Sequence, residues 1–161
     1  MTARGTPVRS YSTRIELDED PISEGGIWLN GRKDGIDYAD VVTENGVAHG
    51  GEVRMAVSER RSEQGDDVAA PEGDYDDPTA VIAGTWGRNQ YVKARVFSRN
   101  QTEEYFQEVE IRLRSSIVPH RCTGYEVFWR CLKSEKGYAE ILRWNGRVTD
   151  FTSLNKNTGS K

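Results

Sequence analysis

Polar and apolar residues alternate almost without a break along Gln107-Glu108-Val109-Glu110-Ile111-Arg112-Leu113-Arg114-Ser115. Successive side chains on a strand take opposite faces, so Val109, Ile111 and Leu113 point one way and Glu108, Glu110, Arg112 and Arg114 the other. The pattern predicts a strand whose apolar side closes a core. Its charged side is either a floor for a hydroxyl-rich ligand such as a sugar polymer or a face turned to solvent.

The same style of pattern recurs along the chain. Strands are expected over residues 8–17, over 27–29 before an Asn30-Gly31 turn, over 36–43 before Glu44-Asn45-Gly46, and over 53–57. Residues 58–78 interrupt it with a long charged stretch, read as a surface loop because strands of the same style resume at 79–84. In 90–98, Val92, Ala94 and Val96 oppose Tyr91, Lys93, Arg95 and Phe97. After a break at Pro119-His120 come 123–132 and 138–144, an Asn145-Gly146 hairpin signal, 148–151, and a frayed polar tail over 155–161. About nine or ten short strands with turns every 8–12 residues, and no convincing helix, predict an all-β sandwich or barrel in a single domain spanning 1–161.

Consecutive strands usually neighbour one another, so 90–98, 107–117, 124–132 and 138–144 are expected in one sheet. Its polar side would gather Lys93, Arg95, Glu108, Glu110, Arg112, Arg114 and Glu140, with Tyr91, Tyr138 and Trp144 beside them. For 124–132 the facing stays open, because Tyr125, Val127 and Trp129 oppose Glu126, Phe128 and Arg130. Rings under a sugar's apolar face and charges on its hydroxyls are a means of holding carbohydrate. Each of Trp28, Trp86, Trp129 and Trp144 is a candidate for either core or groove.

Composition narrows the partners. A net charge of −4 and a pI near 5.3 give no general attraction to nucleic acid or anionic membrane. No apolar run nears the roughly 18 residues of a membrane span, and no charged-then-apolar leader opens the chain, so neither a span nor an export signal is expected and no compartment is assigned. Cys122 and Cys131 sit near opposite ends of one predicted strand, too far apart for a disulfide, and are expected as free thiols with one buried. Asp74, Asp76 and Asp77 offer oxygens to Ca²⁺, but the distal Glu of an acidic calcium loop is missing. A solvated turn is the expectation there, with no cofactor and no metal.

The runs from Tyr75 through Thr79-Ala80-Val81-Ile82-Ala83-Gly84 to Gly87, from Glu108 to Arg114, and from Thr123 to Cys131 resemble a group of bacterial domains similar to the concanavalin A-like lectin/glucanase superfamily. The likeness extends to Ile141-Leu142-Arg143-Trp144-Asn145-Gly146 and, more weakly, to residues 21–31. It implies a jelly-roll β-sandwich of two curved antiparallel sheets whose concave face takes a polysaccharide or oligosaccharide. Such domains continue with further strands, and this chain stops about 40–60 residues short of the 200–250 that all-β sandwiches often reach. A shortened variant or a fragment is therefore expected, with an uncovered sheet edge that invites self-association.

The resemblance also raises catalysis. Glucanase-like hydrolases carry acids at alternate positions of one strand; Glu108 and Glu110 match the opening, but position 112 is Arg. A retaining glycosidase holds one of two close carboxyls protonated, whereas Arg112 and Arg114 favour both ionised. Lyase-like members of the fold use a Tyr-x-Lys pair that Tyr91 and Lys93 resemble, although here the pair precedes the Arg/Glu strand and no Gln-x-His accompanies it. The sequence therefore favours a lectin-like binding domain using Lys93, Arg95, Glu108, Glu110, Arg112, Arg114, Tyr138 and Glu140. A hydrolase or lyase acting through Glu108 and Glu110, or through Tyr91 and Lys93, stands as the alternative, and a structural or protein-interaction sandwich as the third reading.

Overall fold

The structure, a computed structural model, describes residues 9–36, 38–50, 75–99, 101, 107–134, 136–147 and 150–155. The strand expected at 53–57, most of the 58–78 stretch with Asp74, and residues 156–161 lie outside them, as do the side chains of Asp76 and Asp77. The described chain is all-β apart from one helical turn, and its strands pair antiparallel except in one short ladder. It groups into two compact units, Met1–Arg88 and Asn89–Lys161.

The first unit holds six short strands: β1 (Trp28–Asn30), β2 (Tyr38–Ala39), β3 (Val41–Glu44), β4 (Val47–Gly50), β5 (Tyr75–Pro78) and β6 (Ala80–Ile82). β1 pairs antiparallel with β6, β2 parallel with β5, and β3 with β4 as a hairpin. Asn45 and Gly46 both have positive φ (52° and 77°), which is the backbone that a two-residue hairpin turn matching strand twist requires. Asn30-Gly31 behaves differently from the expected turn. Asn30 is buried, donates from its side-chain amide to the Ile22 carbonyl and accepts the Val41 N–H at 3.3 Å. Gly31 opens the helical turn α1 (Gly31–Asp34) because the backbone of Tyr38 crosses directly over it; a Cβ there would lie 1.5 Å from the Tyr38 carbonyl oxygen. Residues 9–17 carry no strand. Arg9 instead stacks on Trp86 at 4.3 Å and donates to the Ala83 and Thr85 carbonyls.

The second unit is one antiparallel sheet in the order β10-β9-β8-β7, from β7 (Gln107–Val118), β8 (Arg121–Cys131), β9 (Tyr138–Arg147) and β10 (Phe151–Ser153). Pro119-His120 closes the β7–β8 hairpin; proline's fixed φ and the positive φ of His120 (62°) suit the two central positions of a type II turn. Residues 90–98 join no ladder, contrary to expectation, and β10 takes the fourth place in the sheet. Asn145-Gly146 lies within β9 rather than at a turn. Gly146 pairs with Cys122, and the reversal comes after Arg147, where Asp150 N–H bonds the Arg147 carbonyl at 3.0 Å.

A bulge decides which residues share a face. Leu113 pairs with Tyr125 and Ser116 with Thr123, so Arg114 and Ser115 together oppose Gly124. Arg114 takes a φ of 53°, and its N–H bonds the side-chain oxygen of Gln90 at 2.6 Å. The extra residue switches parity: even positions share the face of Glu126 up to Arg112, and odd Ile117 takes it beyond. Gly124 has a φ of 133°, and a Cβ on it would fall 2.8 Å from the Ser115 Cα. Gly124→Ala is accordingly expected to destabilise the fold by about 1–3 kcal/mol in urea unfolding.

Candidate functional site

Residues paired across an antiparallel ladder point to the same side, so the register defines the two faces of the sheet. One face carries the rows Glu108–Arg130–Tyr138, Glu110–Phe128–Glu140, Arg112–Glu126–Leu142, Gly124–Trp144 and Ile117–Cys122–Gly146. The opposite face carries Val109–Trp129–Ala139, Ile111–Val127–Ile141 and Leu113–Tyr125–Arg143.

The charged face is the buried one. Glu126, Phe128, Leu142, Trp144 and Cys122 are all buried, and the Arg112 side chain is 7% exposed. A cation and carboxylates tolerate this because they satisfy each other. Arg112 Nη2 lies 3.0 Å from Glu110 Oε2 and 2.9 Å from Glu126 Oε2, and Arg112 Nη1 approaches Cys122 Sγ at 3.4 Å. The guanidinium stacks 4.8 Å from the Trp144 ring, and Trp144 Nε1 donates to the same Glu126 oxygen at 2.8 Å. Phe128, Leu142 and Trp144 supply the apolar bulk from neighbouring strands. Apolar partners on β8 and β9, invisible from β7 alone, thus bury a face that β7 presents as charged.

With both carboxylates ionised, the trio carries one excess negative charge. Burial first, then repulsion from Glu126, pushes the Glu110 carboxyl above its usual range, with Arg112 pulling the other way. Burial likewise raises Glu108, against the attraction of Arg130. Arg112 stands within hydrogen-bond reach of both Glu110 and Glu126, in the space where a substrate bond would have to sit between two catalytic carboxyls.

At its far end the face opens. Tyr138 is 42% exposed, meets the edge of Phe128 at 5.5 Å, and has the Arg130 guanidinium 5.9 Å from its ring. Glu108 and Glu140 share this face in the flanking rows.

Of the residues singled out from the sequence, Glu108, Glu110, Arg112, Tyr138 and Glu140 come together on one face. Arg114 is removed from it by the bulge. Lys93 and Arg95 sit exposed in the unladdered 90–98 segment, and Tyr91 lines a groove on the opposite face, so Tyr91 and Lys93 do not meet Glu108 and Glu110. That opposite face was expected to close a core. Its Val109, Ile111 and Leu113 are only half-buried, and an open groove of about 280 Å³ runs between them and Tyr91. Trp144 is core, Trp129 lines the groove, and Trp28 packs on Tyr11 at 5.7 Å. Both cysteines are free and Cys122 is buried, as expected.

Sequence reasoning missed Glu126 and Arg130 as members of the charged face. The signal was present in the alternation Cys122, Gly124, Glu126, Phe128, Arg130, once the register matches it to Glu108, Glu110 and Arg112. Among the described residues, no group of three or more His, Cys, Asp or Glu side chains is placed to hold a metal ion. No family model, curated protein or solved structure matches the chain.

Two outcomes follow from the cluster. Arg112→Leu leaves Glu126 buried without its cation, and a loss of about 3–5 kcal/mol in chemical denaturation is expected, partly recovered when Glu126→Gln is added. Glu110 holds its proton more tightly folded than unfolded. It therefore favours the folded state below the ordinary carboxylate value and loses that advantage as pH rises through the raised one. The melting temperature of Glu110→Gln relative to the parent should climb between acidic and neutral pH; a flat or falling difference would contradict the raised value.

Proposed function

We propose that the chain is a non-catalytic saccharide-binding domain whose contact surface is the open end of the charged face, with the four-stranded sheet forming one layer of a concanavalin A-like jelly-roll. The observation that carries this reading is the juxtaposition of a half-exposed ring, Tyr138, with a guanidinium and two carboxylates on one face. A saccharide sets its C–H face on an aromatic ring and its hydroxyls on flanking donors and acceptors, and Arg130, Glu108 and Glu140 supply both kinds. The fold proposal is supported by the antiparallel order of long consecutive strands and by the bulge in β7, which bends a sheet. Binding is favoured over cleavage because the two carboxylates that come closest, Glu110 and Glu126, are committed to Arg112.

Native electrophoresis through gels cast with neutral and with acidic polysaccharides tests the proposal. The parent chain should be retarded in at least one polymer, and Tyr138→Ala and Glu140→Ala should each weaken the interaction about tenfold. Ile141→Ser, on the same strand but the other face, should leave it intact. Unchanged mobility of the parent in every gel, or equal loss in the Ile141 control, would remove saccharide binding at this surface.

A further inference from the structure

Residues Tyr91-Val92-Lys93-Ala94-Arg95-Val96-Phe97 have a strand sequence without a strand's partners. β-branched and aromatic residues alternate with cations, the composition that fits a pleated, half-buried surface. Every one of the seven side chains is nonetheless exposed, Tyr91 by 84% and Phe97 by 56%. No backbone group of 91–97 hydrogen-bonds another described residue, and neither Lys93 nor Arg95 has an ion-pair partner among the described residues. None of the seven has a positive φ, so no left-handed residue bars the segment from a ladder. Beside it lies the open groove, with Tyr91 and Val92 on one wall and Ile111, Leu113, Val127 and Trp129 as its floor.

We infer that residues 91–97 are a docking strand for an extended segment of a partner protein that carries carboxylates at alternate positions and aliphatic side chains between them. Backbone pairing along 91–97 satisfies peptide groups now left to water, which is the mode of strand addition. Carboxylates two residues apart on the incoming strand match Lys93 and Arg95, whose spacing is the same i, i+2 step. Its aliphatic side chains bury against Val92 and in the groove floored by Trp129. A second copy of this chain fits less well, because antiparallel self-pairing centred on Ala94 sets Lys93 opposite Arg95, and like charges directly opposite repel. This surface lies on the sheet face opposite the proposed saccharide contact, so the two readings fail separately.

Amide hydrogen exchange on the full chain tests the inference, with a seven-residue peptide alternating valine and glutamate as the probe and a valine–lysine peptide as its control. The glutamate peptide should slow exchange at every second amide of 91–97 by about tenfold or more, an effect that added salt weakens. Lys93→Glu combined with Arg95→Glu, both at exposed positions, should leave the melting curve unchanged and transfer the protection to the lysine peptide. Absence of protection by the glutamate peptide would overturn the docking strand. Equal protection by both peptides would overturn the charge match. Protection that grows with protein concentration in the absence of peptide would replace the partner strand with a second copy.

Discussion

A guanidinium removed from water needs its charge answered at close range, and the second unit is arranged around that need. Arg112 reaches two carboxylates from a single nitrogen, lies over an indole, and shares one of those carboxylates with the indole N–H. The three strands β7, β8 and β9 each contribute a member, so the cluster fixes their register as well as their face. A slip by one residue would turn Arg112 and Glu126 outward and bring Ile111 and Val127 to the buried side. Buried ion pairs are weak sources of net stability but strong arbiters of which arrangement is tolerated, since every alternative pairing strands a charge.

Strand existence was legible where the period-2 pattern was long. β7, β8 and β9 lie where the alternation places them, and the Asn45-Gly46 hairpin turns as its residues demand. Residues 8–17 and 90–98 carry similar alternation, yet neither is laddered across its described part, because a pattern records what a segment prefers and not whether a neighbour is present to pair with it. Asn-Gly shows the same limit. At 45–46 it turns the chain, at 30–31 the glycine admits a crossing backbone, and at 145–146 it sits inside a strand.

The candidate site was legible in part for a related reason. Glu108, Glu110 and Arg112 share a face as their spacing dictates, but a single strand does not reveal which of its faces the sheet buries. That is settled by the neighbours, and Phe128, Leu142 and Trp144 outweigh the charges on β7. Arg114 left the row through the bulge, whose only local sign is a glycine on the opposite strand.

Cys122 sits at the closed end of this arrangement, with no accessible surface and its sulfur against the guanidinium of Arg112. Cys131 is half-buried at the other end of the same strand. The chain therefore carries its own pair of chemical reporters. A thiol reagent that labels Cys131 reads ordinary accessibility, whereas one that labels Cys122 counts only the moments when the sheet has come apart around its ion cluster.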